Sequence, residues 1–193
     1  MLFKLWIALK TNLKVYWLLL PTILVLAFLT KQAPTGYFLL IITFLSIIYF
    51  IFNFDINKII YGTLGSIIII FIFLLTLLIF KISLQSFLEQ YILYPLSIGE
   101  QRLELFLFPL EFSRIFLRYK LIHLSSITLI VISIINIKHS LKYLKNKEFL
   151  IMLSLIGSSY ALIAHQLMTI NGIYIFFIIP ILSAFSHIYI LKY

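Results

Sequence analysis

Lys31, Gln32, Arg102, His165 and Gln166 are the residues of this chain whose types suit work on an anion. They occur as Lys31–Gln32 in "TKQAP", as Glu100–Gln101–Arg102 in "SIGEQR", and as His165–Gln166 in "HQLMTIN", where Asn171 follows closely. A guanidinium offers phosphate oxygens a planar fork of N–H donors, and an ammonium offers them a point charge. With an imidazole beside them, such groups can bind a phosphate or pyrophosphate head group if the fold brings them to one place. Each residue also has a plainer role available. Lys31 suits a helix end that snorkels to a membrane interface. Arg102 suits a solvated pair with Glu100 or Glu104, and His165 a hydrogen bond to a neighbouring helix. His165 is the strongest of the set, because an ionisable group inside an apolar span is a functional-site hypothesis by default.

Other constellations carry less. "GSSYA" (157–161) reads as a small-residue packing face. His123, His165 and His187 lack metal-ligand spacing, and no carboxylate is near His165 in sequence, so neither a metal nor another cofactor is expected. No phosphate-cradling glycine loop and no Ser-His-Asp order is present. Asp55 is the sole aspartate.

The elements that must position these groups are membrane helices. Of the 193 residues, 63% are hydrophobic and 11% charged, and the mean hydropathy is +1.15. Soluble domains carry about 45–50% apolar and about 25% charged residues, so the bilayer is the expected solvent. The formal charge of +9 sits largely on lysines at the ends of apolar runs. There it orients helices rather than binding nucleic acid. The absence of cysteine excludes disulfides and thiol chemistry. No secretory leader is expected.

A crossing helix needs about 20 apolar residues. Six runs approach that: 15–30 with Pro21 as a kink, 37–54, 59–80, 121–137, 149–167 and 173–191. The expected fold is an all-α polytopic membrane protein with about six transmembrane helices in one domain. Segment 81–120 differs. Leu84, Phe87, Leu88 and Tyr91 share one helical face, as do Phe112, Ile115, Phe116 and Tyr119, with charged or polar residues opposite. This predicts two interfacial amphipathic helices, separated at Pro95 and Gly99 by a surface loop over "LSIGEQR". The connection "KHSLKYLKNKE" sets Lys138, Lys142, Lys145 and Lys147 against Glu148 and is expected in the cytoplasm. Counting crossings puts both termini and the "DINK" turn on that side. The loop "TKQAPTG", segment 81–120 and the "MTING" turn fall on the other. A bacterial plasma (inner) membrane is the expected location.

The motifs "LAFLTKQAPTGYFLL", "YPLSIGEQR" and "HQLMTINGIYIFFIIPILSAFSHI" resemble the later membrane spans of GT-C type, mannosyltransferase-like glycosyltransferases. The resemblance runs from about residue 24 onward. It implies a polyprenyl-phosphate-linked sugar as partner, chemistry at the non-cytoplasmic face, and Lys31, Gln32, Arg102, His165 and Gln166 as binders of donor phosphate or lipid-linked head group. The family's catalytic acid lies in its first non-cytoplasmic loop, and "TKQAPTG" has none. The expectation is therefore the later portion of such an enzyme, incomplete without an N-terminal portion or partner subunit. A second resemblance competes: "GEQRLELFLFPLEFSRIFLRYKLIHL" looks like the coupling segment of an ATP-binding-cassette exporter permease, which would need that segment in the cytoplasm. A non-catalytic membrane accessory protein is the third reading.

Overall fold

The computed structural model describes residues 2–11, 13–102, 111–139, 141–169 and 174–192. The described residues are helical with no strand. An N-terminal helix not anticipated from the apolar runs, α1 (Leu2–Lys10), precedes α2 (Val15–Thr30), α3 (Gln32–Phe52) and α4 (Ile56–Ile79). The middle segment contains α5 (Leu84–Phe87), a π-helical stretch Leu88–Leu93, α6 (Tyr94–Arg102) and a π-helical turn Ser113–Leu117. Then come α7 (Lys120–His139), α8 (Lys147–Thr169) and α9 (Ile178–Lys192). Helices α3, α4, α7 and α8 are long and apolar enough to cross a membrane. Helix α2 has 16 residues, which at 1.5 Å per residue gives about 24 Å against a hydrocarbon core of about 30 Å.

Neighbouring helices alternate in direction. Near the start of α2, Trp17 stacks on Tyr49 near the end of α3, with ring centroids 5.3 Å apart. Helices α2 and α4 run parallel and close together. A Cβ added to Gly65 would land on the Leu18 carbonyl, so only glycine permits that approach. Asp55 starts α4 by accepting from the backbone N–H groups of Asn57 and Lys58 at 3.2 and 3.3 Å, satisfying donors a helix start leaves open.

Helix α8 is the hub. It packs against α1, α3, α7 and α9 and buries Ser154, Ser158 and Ser159 among its apolar residues. Those serines return their hydroxyls to the Ile151, Ser154 and Leu155 carbonyls of their own helix. They therefore present a small, internally satisfied surface, and Gly157 lets Ile41 of α3 approach to 3.5 Å of a notional Cβ. The "GSSYA" stretch is thus a packing face. Trp6 of α1 donates its indole N–H to Ser154 Oγ at 2.8 Å, tying the N-terminal helix to the hub.

Two connections differ from expectation. Pro95 and Gly99 do not open a loop: α6 runs through both. A proline in the first turn of a helix needs no N–H, and the preceding π-helical stretch reaches Tyr94, so Pro95 falls where the hydrogen-bond register changes. The connection expected over 30–36 contracts to Lys31 alone (φ −156°, ψ 108°), with helical structure resuming at Gln32 and a further extended residue at Ala33. Helical structure runs through 84–91, whereas within 111–119 it includes a π-helical turn at Ser113–Leu117. Residues 103–110, which include Glu104 and the "LELFLF" part of the exporter-like motif, lie outside the described residues, as does the "ING" part of the "MTING" turn.

Candidate functional site

The two ends of the bundle carry different chemistry. At one end, Lys10, Lys145, Asn146, Lys147 and Glu148 border a common cavity. Asn53 at the end of α3 donates to the Lys145 carbonyl at 3.2 Å, and Tyr189 late in α9 donates to the Glu148 carbonyl. Lys58 donates to Tyr49 Oη and pairs with Asp55, each at 3.2 Å. At the other end lie the α2–α3 junction, the 84–102 helical stretch and the final turns of α8.

That second end is built around a reciprocal clasp. Because Lys31 is extended, the last carbonyls of α2 lose their helical partners. The Tyr91 hydroxyl lies 2.7 Å from the Phe28 carbonyl and 2.6 Å from the Leu29 carbonyl, and its single proton is shared between them. The Tyr91 carbonyl lies at the change of hydrogen-bond register, where Pro95 has no N–H to offer. The Gln32 side-chain amide donates to that carbonyl. Each chain break is thus satisfied by a side chain from the other. The ring of Tyr91 is fixed by stacking on Phe87 at 5.0 Å and by an edge contact with Phe28 at 6.1 Å. Burial raises the Tyr91 phenol above its ordinary value, with the Gln32 hydrogen bond opposing, so it remains a protonated donor at neutral pH.

Lys31 and Arg102 are exposed, and His165 is half-buried near the end of α8. Helix α6, which ends at Arg102, packs on α8, and Tyr37 Oη reaches Met168 Sδ at 3.7 Å. The fold therefore brings Lys31, Arg102 and His165, from three distant stretches of chain, to one end of the bundle. Among the described residues, neither Lys31 nor Arg102 has a carboxylate partner, whereas Lys58 and Asp55 pair at the opposite end. Gln32 serves the clasp. Gln166 is buried, and its Oε1 has no hydrogen-bond partner, so one acceptor beside His165 is unused. Asn171 lies outside the described residues.

A guanidinium, an ammonium and an imidazole without a carboxylate among them suit a doubly charged anion far better than a cation. No group of three potential metal ligands assembles among the described residues. Tyr91 is the residue that sequence reasoning placed on an apolar face without a task. The usable signal was Pro95, whose missing N–H leaves a carbonyl of the preceding turn open. Comparison with family models, curated proteins and solved structures gives no match to this chain.

Proposed function

We propose that this protein binds the phosphate head group of a membrane lipid, of the polyprenyl-phosphate-sugar class, between Lys31 and Arg102 with His165 behind them. The observation that carries the reading is placement. Lys31, Arg102 and His165 come to one end of the bundle from three distant stretches of chain, and among the described residues neither cation is paired with a carboxylate. The contacts of Tyr91 and Gln32 hold together the two segments that carry Lys31 and Arg102. In the glycosyltransferase-like reading, this end is the non-cytoplasmic face and the chain handles donor lipid. Sugar transfer itself would need an acidic group that the Lys31 connection does not supply.

The topology that goes with this reading has six crossings, with α2 and α9 as the shorter ones. The 3₁₀ turn Tyr174–Phe177 and the 15 residues of α9 together reach about 30 Å. The partition of charge supports it: the lysine-rich connection 138–148 and the 84–102 stretch belong to opposite ends of the same bundle. An exporter-type coupling segment would need the 84–120 region on the lysine side.

The test is binding of a polyprenyl phosphate to the purified chain in lipid nanodiscs. Lys31→Gln and Arg102→Gln should each weaken binding about tenfold or more, the scale of a lost charge-assisted hydrogen bond. Both side chains are exposed, so folding should be unaffected. Unchanged affinity in both variants would remove the proposal's basis.

A further inference from the structure

At the lysine end, an open cavity of about 520 Å³ lies between α1, α8 and α9, within the range of small-ligand sites, roughly 300–1,000 Å³. Its wall is apolar: Trp6 and Ile7 of α1, Ile151 of α8, and Phe185 and Ile188 of α9. Its mouth is polar, with Lys10 and Glu148. Those two residues also border the second cavity, which Lys145, Asn146 and Lys147 complete. An apolar slot and a cationic pocket are thus adjacent, with Lys10 and Glu148 lining both. They stand at the first turns of α8 and the last turns of α9, the level at which a helix leaves the hydrocarbon.

We infer that this paired cavity is a binding site for one anionic phospholipid, its acyl chain in the slot beside Ile151 and Ile188 and its phosphate among Lys10, Lys145 and Lys147. Three features select that occupant. The slot is apolar and open on its flank, so a chain from the surrounding bilayer can enter sideways. Lysines outnumber the single acid bordering the pocket, which favours a net negative head group over a zwitterionic one. The lysine ammonium groups sit on long stems that adjust to a phosphate without rearranging the helices. A bound lipid would also fasten α1, which meets the bundle through Leu5, Trp6, Ala8 and Leu9, onto α8 and α9. The site is separate from the Lys31–Arg102–His165 end and stands or falls without it.

A polybasic surface attracts anionic lipid without any slot, and the experiment must separate the two. The purified protein is titrated with phosphatidylglycerol, and in parallel with phosphatidylcholine, and lipid adducts are counted by native mass spectrometry. One retained phosphatidylglycerol and no comparable phosphatidylcholine adduct is the expected result. Ile188→Trp fills the slot and leaves every lysine in place, so it should abolish the retained adduct, while Ile70→Trp on the exposed side of α4 should not. Lys145→Gln with Lys147→Gln should weaken retention about twentyfold, near fivefold for each charge at an anionic surface. Lys145 ends the 3₁₀ turn Leu141–Lys145 and Lys147 begins α8, so neither substitution enters the packed core, which keeps the test informative if the tryptophan variant fails to fold. Retention of phosphatidylglycerol by Ile188→Trp, equal retention of phosphatidylcholine, or indifference to the lysine pair would each overturn the inference.

Discussion

Helices α4 and α8 are nearly equal in length, 24 and 23 residues, and nearly opposite in how they use it. The most apolar window of α4 has a mean hydropathy of 2.7 and is 17% buried inside the protein; that of α8 has 1.5 and is 56% buried. In water the more apolar helix would be the more buried one. Here it stands at the edge, with Ile67, Ile70, Phe71, Leu78 and Ile79 pointing away from the protein. The helix that carries Ser154, Ser158, Ser159, His165 and Gln166 stands at the centre. Such an inversion is what a lipid solvent selects. Lipid tails satisfy isoleucine as well as a protein neighbour does, whereas close helix packing and polar groups need protein around them. Polar side chains accordingly sit on α8, and α4 contributes hydrophobic area.

That contrast can be broken at the one place where α4 does approach another helix closely. Gly65→Val should have the largest effect of any substitution on this face. Its Cβ meets backbone, not a side chain that can turn aside, so the α2–α4 contact must open, costing about 3 kcal/mol or more. Loss of monodisperse protein in detergent, compared with Gly99→Val as a control, would register it.

A matched pair sharpens the comparison. Ser159→Leu on α8 inserts methyl groups into a fully buried position and should destabilise by about 1–3 kcal/mol. Ile70→Ala on α4 removes methyl groups from a lipid-facing position and should change stability by about 0.5 kcal/mol or less. Equal effects, measured by unfolding in mixed micelles, would mean that the burial contrast has no energetic meaning.

Tyr91→Phe comes next. It keeps the stacking on Phe87 and removes the hydroxyl from the Phe28 and Leu29 carbonyls. About 1–2 kcal/mol should be lost, and amide exchange should quicken locally around residues 28–34 rather than across α8.

The smallest effect should be at the start of α4. The Asp55 carboxyl is held below its ordinary value, chiefly by the hydrogen bond from the Lys58 ammonium. A lowered native pKa means that this stabilisation is complete above the unfolded carboxylate range and disappears as pH falls through the lowered value. Stability measured downward from about pH 5 should therefore fall in the wild type with an Asp55 component that Asp55→Asn lacks. The carboxylate is partly exposed, so the component is modest.

Much of this architecture can be read from residue order. The ranges of α2, α4, α7 and α8 follow from runs of apolar residues, because a hydrophobic run is itself the cause of a membrane helix. The lysine excess at one end follows from the same runs, since alternating helices return every second connection to the same side. What escaped were features that depend on partners. Helix α1 has short amphipathic character and is held by Trp6 meeting Ser154 across 148 positions. The continuation of α6 through Pro95 depends on a hydrogen-bond register set by the preceding π-helical stretch. At the site, the residue types of Lys31, Arg102 and His165 were legible, but Gln32 as a clasp became visible only once Tyr91 was placed beside it.

The central claim is that the bundle has two chemically distinct ends, facing opposite sides of a membrane, with the proposed anion site opposite the lysine-rich connection 138–148. The chain contains no cysteine, so single-cysteine variants report without background. At Gly99 an added Cβ meets no atom within 4 Å, and Lys145 is exposed, so Gly99→Cys and Lys145→Cys should both fold. In intact cells, a membrane-impermeant thiol reagent should label Gly99→Cys and leave Lys145→Cys unlabelled until the membrane is permeabilised. Labelling of both from outside, or of neither, would contradict the account.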